Sequence, residues 1–74
     1  MRTGYAIMDG HGWLQTRTRV EGVSCPVTVY VEEEEHAMIF PRLKDAKTML
    51  KAIRKDHRRP DRVHIISARG RVVV

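Results

Sequence analysis

Apolar and polar positions alternate in two stretches of the chain and recur at helical spacing in a third. Tyr5 to Met8 is apolar, and Asp9-Gly10-His11-Gly12 follows as a run of turn residues. From Trp13 to Val20 two sets then interleave: Leu14, Thr16, Thr18 and Val20 against Trp13, Gln15, Arg17 and Arg19. A period of two places such sets on opposite faces of a sheet, so residues 5–20 predict a β-hairpin. "EGVSCP" carries the breakers Gly22 and Pro26 and reads as a connector. "VTVYV" at 27–31 alternates again and is β-branched, which predicts a third strand.

The next stretch, "EEEEHA", changes character. Glutamate is poor in strands and good in helices, so the strand is expected to end there in a short helical turn. Ile39 and Phe40 then re-enter the core, and Pro41 closes the segment. Leu43, Ala46, Leu50 and Ile53, with Met49 and His57 flanking, form one apolar stripe of an amphipathic helix over 43–57. No Ser, Thr, Asn or Asp caps its start, and Pro60 marks its end. "RVHII" predicts a last strand, Ala68-Arg69-Gly70 a turn, and "RVVV" a fold-back as a short fifth strand.

The order strand, strand, strand, helix, strand over 1–74 gives a single α+β domain: a small antiparallel sheet of four to five strands with one helix packed on one face. One helix covers only one face, so the other is left to solvent or a partner. A chain of 74 residues has a thin core, and oligomerisation is a common supplement.

Composition narrows the classes of function. The single cysteine, Cys25, permits no internal disulfide. The opening MRTGYAIMDG has no apolar signal-peptide core, and no apolar run reaches the ~20 residues of a membrane span. The expectation is therefore a cytoplasmic protein with no membrane partner. No phosphate loop, nucleophile elbow or paired-acid spacing occurs, and His11, His36, His57 and His64 lack metal-ligand spacing. No catalytic residue, metal or cofactor is expected. His57 reads as a partly buried packing residue and Cys25 as a structural thiol.

Charge is the most informative feature. Residues 1–30 balance at +1, the block Glu32, Glu33, Glu34 and Glu35 contributes −4, and residues 37–74 carry eleven Lys or Arg against three Asp. Such asymmetry bears on partners rather than on fold. Three candidate surfaces follow. Lys44, Lys47, Lys51, Arg54, Lys55 and Arg58 form a basic stripe on the helix, suited to phosphate or to an acidic protein. Trp13, Arg17 and Arg19 share one strand face, where an aromatic among arginines suits a hot spot or a base. The glutamates 32–35 form an acidic knob, which also serves to protect a sheet edge.

"YAIMDGHGWLQT" resembles the Y-x-I-x-D-x-x-G-x-W/Y-L opening of many small phage and prophage proteins. "EEEEHAMIFPRLKDAKTMLKAI", with Ala37, Phe40 and Ala46 as anchors, is similar to their middle, and "RVHII" to their final strand. The group includes anti-CRISPR inhibitors, so the resemblance implies a non-enzymatic protein that binds a host defence ribonucleoprotein in a bacterial cell. A small basic DNA- or RNA-binding protein using the helix stripe, and a structural homodimer joined through the uncovered sheet face, are the other two readings.

Overall fold

The computed structural model describes residues 3–74. Strands β1 (Tyr5–Met8), β2 (Trp13–Thr18) and β3 (Val27–Val31) precede helix α1 (Leu43–Asp56), and β4 (His64–Ser67) follows it. All pairings are antiparallel and the order is β3-β2-β1-β4, so α1 carries the chain from one sheet edge to the other. The α+β architecture with one helix on one face is as the pattern predicts.

Local chemistry explains the turns. The Asp9 carboxylate accepts from the His11 and Gly12 backbone N–H groups at 3.1 and 2.9 Å, which fixes the β1–β2 turn as Asx geometry does. The glutamate block passes through a 3-10 turn at Glu34–His36, as its composition suggests. Arg42 occupies the N-cap of α1 without a side-chain hydrogen bond. Past Gly70, the tail returns beside β4: the Ile65 N–H donates to the Val74 carbonyl at 3.1 Å and the Val73 N–H to the Ile65 carbonyl at 2.8 Å. This is the predicted fold-back, reduced to one bridge between Ile66 and Val72.

The core lies between sheet and helix. Ile7, Leu14, Phe40, Ala46, Leu50, Ile53, Val63 and Ile65 form it, with Tyr5, Tyr30, Met38, Leu43 and Met49 packed around. Each fully buried large aliphatic side chain contributes roughly 1.5–3 kcal/mol.

Two departures from the alternating pattern shape the rest of the molecule. The first is a β-bulge. Leu14 pairs with Tyr30, yet Thr16 pairs with Val29, so Gln15 is an extra residue on β2. Beyond it the faces exchange. Arg17 pairs with Thr28 and joins Leu14 on the helix side, while Thr16 and Thr18 join Trp13 on the open side. The expected grouping of Trp13 with Arg17 and Arg19 on one face is therefore corrected.

The second departure is an inserted segment. β1 and β2 pair only at Met8 and Trp13, next to their turn. Further along, residues 38–40 bridge them: the Met38 N–H donates to the Leu14 carbonyl at 2.8 Å, and Phe40 exchanges two backbone hydrogen bonds with Tyr5 at 2.9 and 2.8 Å. Phe40 enters the core as expected, but Ile39 is 40% exposed and Met38 packs inward instead. Gly4 makes the close approach feasible. It has a φ of +84°, and a Cβ there would lie 2.7 Å from the Phe40 carbonyl oxygen.

Candidate functional site

At about 100° per residue, α1 divides into three flanks. Leu43, Ala46, Leu50 and Ile53 face the core. Lys44, Lys47, Lys51 and Lys55 fall within a sector of about 80° on the solvent side, and all four are exposed. Asp45, Thr48, Ala52 and Asp56 form the third flank, turned toward β2.

The lysine ridge is open and unencumbered. Lys44, Lys47 and Lys51, with Leu43 and Thr48, line a shallow depression of ≈ 470 Å³. None of the ridge lysines takes part in an ion pair among the described residues. Lysine presents a compact, hydrated charge on a mobile stem, so the ridge suits contact with phosphates or carboxylates without demanding one geometry.

Arg54 differs from the lysines with which the sequence groups it. It stands about 20° outside the core-facing sector. Its guanidinium donates to the Val63 carbonyl at 2.7 Å, and its Nε is buried without a partner. Arg54 therefore tethers the segment after the helix. Arg58 lies beyond the helix end, exposed, on the rim of the cleft described next.

That cleft exists because α1 packs mainly over β1 and β4, leaving the helix-side surface of β2 and β3 partly open. Arg17 and Pro26 line both of its halves. One half, ≈ 470 Å³, is apolar and bounded by Phe40, Met49, Ala52 and Arg19; the other, ≈ 410 Å³, holds Cys25, Thr28, Tyr30, His57 and Arg58. Arg17 spans the cleft, donating to Thr28 Oγ1 at 2.8 Å and to the Asp56 carboxylate at 2.5 Å. Its side chain is only 11% exposed, so it closes the cleft and is not a free cation.

The polar groups deeper in the cleft are also committed to one another. His57 Nδ1 accepts from the Arg59 N–H at 2.9 Å, and Nε2 lies 3.7 Å from Asp9 Oδ2. The Tyr30 ring meets the His57 ring edge-on at 6.4 Å. Burial pushes the Tyr30 hydroxyl above its ordinary pKa; the nearby Asp9 carboxylate adds to the rise and Arg17 opposes it. His57 Nδ1 is taken by the Arg59 N–H, and the one hydrogen bond to the exposed Cys25 thiol comes from Ser24 among the described residues. His57 is the partly buried packing residue its place on the stripe suggests.

The acidic block stands apart at the end of β3. Glu32, Glu33, Glu34 and Glu35 are all exposed, and His36 Nδ1 lies 3.8 Å from Glu33 Oε2. The 3-10 turn brings ligand atoms of Glu33, Glu35 and His36 within 4.8 Å of one another, a grouping the sequence reading did not foresee. All three are exposed, and exposed acidic groups gather this way without an ion.

Trp13 is half-buried on the open sheet face, paired between Met8 and Val31. Arg17 is on the opposite face and Arg19 lines the cleft, so the expected aromatic-plus-arginine platform does not form. No helix is long and apolar enough to cross a membrane among the described residues. No protein-family profile, curated protein or solved structure matches the chain.

Proposed function

We propose that the protein is a non-enzymatic inhibitor of the phage or mobile-element kind. It binds a host nucleic-acid-targeting complex, laying the lysine ridge of α1 along a phosphate-bearing or acidic surface of that complex. The supporting observation is the contrast among its cations. Lys44, Lys47, Lys51 and Lys55 are exposed and unpaired, whereas Arg17 and Arg54 are held by hydrogen bonds within the fold. Four aligned charges on a rigid helix give a sequence-independent electrostatic contact whose strength falls with salt.

The proposal assigns no catalytic step. Stacking of bases on the sheet is not part of it either, since the bulge separates Trp13 from Arg17. Occupying a nucleic-acid path requires only that the ridge compete for the charges that guide or target would otherwise meet.

The test is inhibition of target cleavage by a panel of RNA-guided nuclease complexes, with wild type and the triple variant Lys44→Glu, Lys47→Glu, Lys51→Glu. Wild type is expected to inhibit at least one complex and the variant to lose at least ~10-fold in potency. A folded variant that inhibits as well as wild type would overturn the assignment of the ridge. Binding of wild type to bare duplex or single strand at ~50 mM salt, without inhibition of any complex, would favour a plain nucleic-acid-binding protein instead.

A further inference from the structure

We infer that the open face of the sheet is a self-association surface on which a second copy of this chain seats, giving a two-fold dimer with both helices outward. Cross-strand partners share a face, so His64, Met8, Trp13 and Val31 form one row across the open side, with Val29 and Val27 in the rows beside it, while Ala6 and Ile66 face the same way and are already 0% and 6% exposed. Val27 and Val29 are 39% and 38% exposed, and Val72, bridged to Ile66 in the next row, is 62% exposed. Thr16 and Thr18 complete the middle of the face.

Two observations favour a second copy as the occupant. The first is charge. The chain is 31% charged, yet none of the strand residues on this face is Lys, Arg, Asp or Glu, and His64 is the one titratable side chain among them. Solvated sheet surfaces and protected edges usually carry charge, and a neutral apolar face is matched by another of the same kind. Each copy carries a net +5, and its ridge lysines lie on the helix side. Stacking open face on open face keeps the two ridges on the order of 30 Å apart, beyond the ~8 Å Debye length, so repulsion between copies is screened.

The second is area. Four strands and the tail, at about 4.8 Å spacing and about 3.3 Å per residue, give a footprint of roughly 24 by 17 Å. A corrugated surface of that footprint, less the share over Ala6 and Ile66 that is already covered, buries on the order of 1,000 Å² over both copies, at the low end for a specific interface. The expected dimer is therefore a weak one, forming in the micromolar range. Its interface is isologous, so each substitution enters twice.

The inference does not rest on the proposed function. It is tested by sedimentation equilibrium of the full chain from ~1 to ~500 μM, with Val29→Lys and Thr16→Lys as separate variants, folding being checked by circular dichroism. Wild type is expected to pass from monomer to dimer over this range. Either lysine, buried twice without a partner, is expected to weaken the dimer roughly 100-fold or more. The Lys44/Lys47/Lys51→Glu variant is expected to dimerise like wild type or better. Wild type that stays monomeric throughout, a dimer that survives both lysines in folded protein, or higher-order assembly that does not close at two copies would each overturn the inference.

Discussion

At the scale of single residues, the fold depends on a few positions whose chemistry admits little substitution. Gly4 is one. Its φ of +84° and the 2.7 Å approach to the Phe40 carbonyl oxygen leave no room for a side chain. Gly4→Ala is expected to cost about 2 kcal/mol or more, read as a lowered denaturation midpoint, because the left-handed backbone and the inserted segment 38–40 are disturbed together. Tyr30 is the opposite case. Its hydroxyl is buried without a hydrogen-bond partner, so Tyr30→Phe removes an unmet desolvation cost and is expected to leave stability within about 1 kcal/mol of wild type, or above it. The same burial raises the Tyr30 pKa. The folded state then holds the phenol proton more tightly than the unfolded state, and stability falls as pH rises above ~10 through the folded value. Denaturation midpoints at pH 8 and ~10.5 are expected to diverge more for wild type than for Tyr30→Phe.

At the scale of elements, much was legible. Helix α1 was visible from its apolar stripe, and Ala46, Leu50 and Ile53 are buried as that stripe requires. The first strand matched its apolar run and the third its alternating one, and the glutamate block ended β3, with Glu34 and Glu35 entering a 3-10 turn. The bulge was not legible. Leu14, Thr16 and Thr18 alternate with polar residues as in a regular strand, and no glycine marks the extra residue. Nor did the sequence announce that residues 38–40 would fill the gap between β1 and β2, since that pairing is set by tertiary contact. The candidate site changed accordingly. The ridge lysines sit where helical spacing put them, but the bulge moved Arg17 into the cleft, and Arg54 was drawn to the Val63 carbonyl at the border of the core. Deleting Gln15 tests the bulge directly. Gln15 is the residue without a partner, so its removal keeps Leu14 opposite Tyr30, Thr16 opposite Val29 and Arg17 on the helix side, now in an unbroken ladder. The deletion is therefore expected to keep cooperative unfolding and to shift stability by no more than about 2 kcal/mol in a denaturant titration, and loss of cooperative unfolding would contradict the register.

At the scale of the molecule, charge and apolarity are sorted by direction. The helix side presents lysines, the end of β3 presents glutamates, and the far side of the sheet presents valine, threonine and Trp13 without a charge. Among the described residues, ion pairs use few of the cations. Arg17 meets Asp56 and Arg42 lies 3.9 Å from Asp45, while the lysines remain for solvent or a partner. The two proposed contact surfaces, one electrostatic and one apolar, lie on opposite sides of the sheet and are separable by mutation. The electrostatic surface is tested most directly by the salt dependence of binding to an inhibited RNA-guided nuclease complex, measured from ~50 to ~200 mM salt for wild type and for Lys44/Lys47/Lys51→Gln. If the ridge makes the contact, the wild-type logarithmic slope is steep and the neutralised variant loses roughly two to three units of it, about 0.7–0.9 per lysine. Parallel lines for the two proteins, at any affinity, would contradict the assignment.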